Sequence, residues 1–270
     1  MDIRTFFSDS SKEKHEKTET ETTYTLPPPS EEQQEILKAV TDGKNVMVDA
    51  VAGSGKTTSI LLLASSLPTK RFSLFTYNAR LKTETRQRVL ALGLTNIQVH
   101  SYHSFGLRHY TSPCMNDIHL MNIVKHNTPL LHNPTPDIVI LDEAQDMTPP
   151  YYSFVRKCLT DMTNNKSTIQ LVVLGDHMQC IYDFPQKGAD FRFLTFAEKV
   201  WENGRPWEKL HLRVSYRITK HMETFVNDIV LGYPRMKAVK EHDAPVTYIT
   251  GDLGALDGRF FLVTWCWGLG

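Results

Sequence analysis

Residues 46–63 read V-M-V-D-A-V-A-G-S-G-K-T-T-S-I-L-L-L. A β-branched apolar run, a loop holding Gly53 and Gly55, and a second apolar run at helical spacing follow one another without a break. That order predicts a buried strand, a tight turn and a helix start, which together make a phosphate cradle. The two glycines let the backbone fold around an anion, with successive N–H groups aimed inward and a helix N-terminus behind them. Ala52, Gly53, Ser54, Gly55, Lys56, Thr57 and Thr58 form the expected phosphate-binding set. Lys56 can reach the outer phosphates, and the Thr57 hydroxyl can hold a magnesium ion. Ala50 stands where such loops usually carry their first glycine. The ligand expected is a magnesium-bound nucleoside triphosphate.

Outward from this loop, short β-branched or aromatic runs alternate with longer helical patterns. Strands are expected at 46–51, 72–77, 97–100, 138–141, 170–174, 246–249 and 260–264, and helices at 31–41, 56–66, 79–92, 102–110, 149–162 and 218–231. Such alternation argues for an α/β fold with a parallel sheet covered by helices on both faces. Ligands of these sheets sit beyond the carboxyl ends of the strands. Residues 8–23 are nearly all polar or charged and are expected to be disordered. Pro27, Pro28 and Pro29 close that tail, and Ser30 with Glu31 and Glu32 opens the first helix.

A second motif, D-I-V-I-L-D-E-A-Q-D, spans residues 137–146. Four apolar residues place Asp142 and Glu143 just past the end of a buried strand. There Asp142 can ligate magnesium and Glu143 can orient and deprotonate an attacking water. An acceptor site of a metabolite kinase and the guanine-reading N-K-x-D element of a GTPase are both absent from the sequence.

The A-x-A-G-S-G-K-T loop with Asp142-Glu143-Ala144-Gln145 resembles the superfamily 1 DNA helicases of the UvrD/Rep type, and further motifs follow in that family's order. Gln33 resembles the glutamine that reads adenine. The run 76–80, with Thr76, Tyr77 and Arg80, and the run 101–105, with His103 and Ser104, resemble motifs that meet single-stranded DNA. Residues 175–182 resemble G-D-x-x-Q-S-I-Y, whose glutamine, here Gln179, senses the terminal phosphate. Ser215-Tyr216-Arg217 resembles N-Y-R, where tyrosine stacks on adenine and arginine contacts the γ-phosphate. Phe184 and Lys187 stand near the family's x-[FW]-R-G-A element, shifted by two residues, and are the expected further DNA contacts. The resemblance implies a RecA-like P-loop NTPase, a DNA-dependent ATPase and 3′–5′ DNA helicase serving DNA repair or replication. Lys56, Glu143, Gln179 and Arg217 are then catalytic, and Thr57 and Asp142 hold Mg2+.

The expected domains are a tail at 1–29, an ATP-binding motor domain at 30–220, and a connecting helix with an incomplete start of a second motor domain at 221–270. The ending T-W-C-W-G-L-G does not resemble the family's second domain, so a truncated, alternative or prematurely ended product is expected, with weak DNA-stimulated ATPase and no processive unwinding. A module that binds ATP and DNA without turnover, acting through a partner, is the alternative. Ile3, Phe6 and Phe7 have the spacing of peptides that plug into DNA sliding clamps.

Composition adds limits. Lysine and arginine number 30 against 30 acidic residues, so nucleic-acid contact must come from local patches such as 70–88. The four cysteines form no C-x-x-C pair, which fits a reducing compartment. No apolar run reaches membrane length and the start is not signal-like. An intracellular protein is expected: nuclear if eukaryotic, otherwise cytoplasmic or at a viral replication site.

Overall fold

The computed structural model describes residues 24–77, 79–111, 113–163, 168–180 and 188–241. In chain order these give α1 (Glu31–Thr41), β1 (Asn45–Ala50), α2 (Lys56–Ser66), β2 (Phe72–Thr76), α3 (Ala79–Ala91), β3 (Ile97–Ser101) and α4 (Tyr102–His109). Then come α5 (Asp117–Lys125), β4 (Ile138–Leu141), α6 (Pro149–Thr163), β5 (Gln170–Gly175), α7 (Arg192–Thr195) and α8 (Ala197–Val200). Last are β6 (Trp207–Leu212), β7 (Val214–Thr219), α9 (Lys220–Thr224), a π-helix over Phe225–Leu231, and β8 (Lys237–Lys240).

Six strands form one sheet in the order β3-β2-β4-β5-β1-β6, every pairing parallel. Side chains alternate across it with the period of two that a strand imposes. Val46, Val48, Leu74, Ile138, Ile140, Val172 and Leu174 pack with α1 and α2 on one face. Met47, Phe75, Val139, Leu141, Leu171 and Val173 pack with α4, α5 and α6 on the other. Each of these buried apolar chains contributes roughly 1.5–3 kcal/mol, so strands buried on both faces are apolar at nearly every position. The RecA-like α/β expectation, a parallel sheet with helices on both faces, is met.

Ser30 caps α1 in a reciprocal box with Gln33, and Ser101 caps α4 in the same way with Ser104. Gly232, in the left-handed region at φ 74°, ends the π-helix. No described helix is long and apolar enough to cross a membrane.

The helix expected over 218–231 is corrected. Ile218 and Thr219 finish β7, and Thr219 then caps α9 with its hydroxyl. Strands β6, β7 and β8 and helix α5 were not anticipated. The strands expected at 246–249 and 260–264, the tail residues 8–23 and the proposed clamp-binding side chains Ile3, Phe6 and Phe7 lie outside the described residues.

His100, on β3, is 1 % exposed, and neither ring nitrogen has a partner among the described residues. Burial, reinforced by the charge of nearby His109, pushes its pKa down from 6.5 to about 3. The folded protein keeps this ring neutral, whereas the unfolded chain protonates it below about pH 6.5. The unfolded state therefore binds more protons between those values. Stability from this group is complete above pH 6.5 and declines as pH falls, by about 2 kcal/mol at pH 5. Urea titrations at pH 7.5 and pH 5 should show that loss in the natural chain and a smaller one in His100→Phe. An equal loss in both would refute the assignment.

Candidate nucleotide site

Because all six strands point the same way, the loops after β1, β2, β3, β4, β5 and β6 open on a single edge. The loop after β1 turns through Gly53 at φ 73° and Gly55 at φ 91°, both left-handed. Gly55 caps α2 without any side-chain hydrogen bond, which leaves the helix's first amides to an external acceptor. Ser54 is buried, and its hydroxyl has no partner among the described residues. An orphaned hydroxyl, left-handed glycines and an uncapped helix start fit a phosphate group.

Strand β5 lies between β4 and β1, so its end brings Asp176 between the acidic pair and the loop. Lys56 Nζ lies 3.1 Å from Glu143 Oε2. Burial works to lower the Lys56 pKa, but the charges of Glu143, Asp142 and Asp176 overcome it, and the pKa is raised. Asp142 is held above the usual carboxylate range, first by burial and then by the Glu143 charge, against the pull of Lys56. Its Oδ1 accepts the Glu143 amide at 3.0 Å. Glu143 itself sits at φ 53°, an uncommon left-handed position for a non-glycine residue and a form of backbone strain found at functional sites.

Gln145 is a residue whose role the sequence did not disclose. Its Nε2 donates to Glu143 Oε2 at 2.8 Å, and its Oε1 accepts the Asp176 amide at 3.1 Å. It thereby ties the end of β4 to the end of β5. Asp176 Oδ2 in turn accepts from Gln179 Nε2 at 2.8 Å. Gly175 leaves no room for a side chain, since a Cβ there would overlap Gln145 Oε1.

The Ser215-Tyr216-Arg217 run closes over the loop. Ser215 Oγ donates to the Ala52 carbonyl at 2.7 Å, and the Tyr216 amide donates to the Gly53 carbonyl at 3.0 Å. A Cβ on Gly53 would overlap that of Arg217. Tyr216 is 49 % exposed and Arg217 is exposed, so both reach the open side of the loop. Gln33 is buried beside Gly55. Its amide is engaged with the Ser30 amide at 3.0 Å and the Ser59 hydroxyl at 3.2 Å. Thr57 and Thr58, in the first turn of α2, are half-buried.

The residues expected to meet DNA divide. Arg80 is exposed and pairs with Glu84 at 2.8 Å. His103 Nε2 lies 3.0 Å from Asp117 Oδ1, and the Tyr151 hydroxyl donates to the same oxygen at 2.9 Å. Tyr151, unsuspected from sequence, stacks on buried Tyr102 at 4.6 Å and meets half-buried Tyr77 edge-on at 6.0 Å.

Two assignments need correcting. Thr76 is 1 % exposed in the β2 pleat, so its side chain does not face a bound strand. The Ser104 hydroxyl already donates to the Ser101 carbonyl at 3.0 Å, leaving no proton for a phosphate. Phe184 and Lys187 lie outside the described residues.

The basic run 70–88 is broken up by the fold. Arg86 donates to the Val99 carbonyl at 2.6 Å, Arg71 to the Thr135 hydroxyl at 2.6 Å, and Arg88 lies over the Tyr24 ring.

No curated protein matches the chain. Solved structures similar to it include the Pif1 helicase from Candida albicans, with 20 % identity and a TM-score of 0.43 over 69 % of this chain and 40 % of that one. Unliganded Pif1 from Bacteroides sp. gives 17 % identity and a TM-score of 0.42 over 73 % of this chain and 44 % of that one. The chain thus spans less than half the length of these structures. The family described as AAA domain matches residues 33–185, more than half of the chain, and the chain belongs to that family.

Proposed function

We propose that this chain is an ATP-hydrolysing motor domain stimulated by single-stranded DNA, the first motor domain of a UvrD/Rep-type helicase working 3′–5′. The observation that carries the reading is the linked set Lys56, Glu143, Gln145 and Asp176 beside a loop whose amides and Ser54 hydroxyl await an anion.

In this reading Lys56 exchanges its carboxylate partner for the outer phosphates. Glu143, released from that ion pair but still tethered by Gln145, orients a water and takes its proton. Thr57 and Asp142 would hold Mg2+, which would offset charge on the phosphate oxygens. Arg217 stabilises charge on the transferring group, and Gln179 registers the terminal phosphate. Tyr216 stacks on adenine, and Gln33 offers its amide beside Gly55. His103, Arg80 and Tyr77 leave the same sheet edge and would contact the strand through phosphates and base faces, without reading sequence. Shared placement on one edge is what would couple nucleotide state to DNA.

ATP turnover with and without single-stranded DNA tests this. Glu143→Gln is expected to keep nucleotide affinity and lose about 10²–10⁴ in kcat, while Lys56→Ala loses affinity. Turnover that survives Glu143→Gln would exclude the mechanism. Nucleotide binding without turnover in the natural chain would instead favour a non-catalytic module acting through a partner, such as a sliding clamp held by Ile3, Phe6 and Phe7. Displacement from partial duplexes with 3′ or 5′ tails decides polarity.

Gly53→Ala probes the loop itself. Its φ and the Arg217 overlap predict a loss of about 1–3 kcal/mol in stability and weaker nucleotide binding. Thermal melting and titration with a fluorescent ATP analogue would measure both. An unchanged affinity would show that the loop does not need this turn.

A further inference from the structure

A second buried cation faces the same edge from a different part of the chain. Arg235, between the π-helix and β8, is 7 % exposed. Its Nη2 donates to Asp176 Oδ1 at 2.6 Å and to Asp49 Oδ1 at 3.1 Å. The surrounding backbone is fixed as well. Asn227 Oδ1 accepts the amides of Arg235 and Met236, and Asn227 Nδ2 donates to the Met236 carbonyl at 2.8 Å.

Both carboxylates have further duties. Asp49, on the strand that leads into the phosphate loop, holds His177 Nδ1 at 2.8 Å. Asp176 accepts the Met178 amide at 3.1 Å and Gln179 Nε2 at 2.8 Å. One guanidinium therefore joins the approach to the loop with the turn that carries Gln179.

Ligand atoms of Asp49, Asp176 and His177 lie within 4.8 Å of one another, a spacing suited to a cation, and Arg235 occupies that place. Its Nε and Nη1 are buried without a partner among the described residues. Arg235 also borders a cavity of about 190 Å³ that Tyr233, His211 and Arg213 line. A guanidinium retained for stability alone would satisfy its donors better. This one is committed to two carboxylates.

We propose that Arg235 is a positioning residue of the nucleotide site, holding Asp176, and through it Gln179, against the phosphate-loop edge. The proposal rests on the ATPase reading above. Without Arg235 the two carboxylates lose the charge between them. Asp176, almost wholly buried, then turns away, and Gln179 loses its anchor.

Three variants of the full chain test it: Arg235→Lys, Arg235→Met, and Arg235→Met combined with Asp49→Asn. The double variant removes one carboxylate together with the cation, so the repulsion between the two carboxylates is relieved while Asp176 stays untethered. Arg235→Met is expected to lower kcat about tenfold or more with little change in KM for ATP. Arg235→Lys should recover part of that loss. The double variant should regain part of the lost melting temperature but not kcat. Recovery of kcat along with stability, or turnover in Arg235→Met equal to the natural chain, would overturn the proposal.

Should the natural chain show no turnover, the ATPase reading fails separately, and hydrogen exchange at the Met178 and Gln179 amides decides the positioning role. Exchange faster by about tenfold in a thermally intact double variant supports it. Unchanged exchange overturns it.

Discussion

Six parallel strands force every loop that leaves a carboxyl end onto one edge, and the chemistry of this chain follows from that constraint. The edge collects like charge. Asp142, Glu143 and Asp176 arrive from β4 and β5, all near Lys56. Such a cluster folds only if cations and amide donors offset it. Lys56 supplies charge at the Glu143 side, Gln145 links Glu143 to the β5 turn, and Arg235 supplies charge at the Asp176 side. Each link has an end just past a strand of the sheet, so the sheet helps to set the spacing.

What could be read from sequence is what was encoded locally. The loop at Gly53 and Gly55 is legible because its backbone demands glycine within a few residues of the strand. Strand β4 is legible because burial on both faces leaves no polar position among Ile138, Val139, Ile140 and Leu141. Strand β6 escaped notice for the opposite reason. As an edge strand it alternates half-buried and exposed positions, and Trp207-Glu208-Lys209-Leu210 carries a weak apolar signal. Strand β7 follows it after one residue and ends in Thr219, whose capping hydroxyl marks the true helix start.

Site residues divided along the same line. Lys56 and Glu143 come together because one local motif places a residue at the helix start after β1 and the other places one just past the end of β4. Arg235 could not be foreseen, since its partner Asp49 is 186 residues away and nothing near either announces the other. Ser104 misled because a serine at the third position of a helix satisfies the helix before it satisfies any ligand. Thr76 misled because it stands at the last residue of a strand whose pleat turns it inward.

The unit formed by β7, α9, the π-helix and β8 shows how a small element can govern a larger one. Its own apolar cluster is slight: Val226 and Met236 close over Val51, with Ile218, Phe225 and Leu231 at the rim. So small a core gives modest stability, and this unit is held to the sheet by polar links instead. Ser215 and Tyr216 bond the carbonyls of Ala52 and Gly53, while Arg235 bonds the carboxylates of Asp49 and Asp176. Four of its contacts thus fall on the phosphate loop and the two strand ends that flank it. Any movement of the unit must change loop geometry, and any rearrangement of the loop must be felt at Arg217 and Arg235. Directional bonds between a weak core and a charged edge are thus what join this unit to the loop.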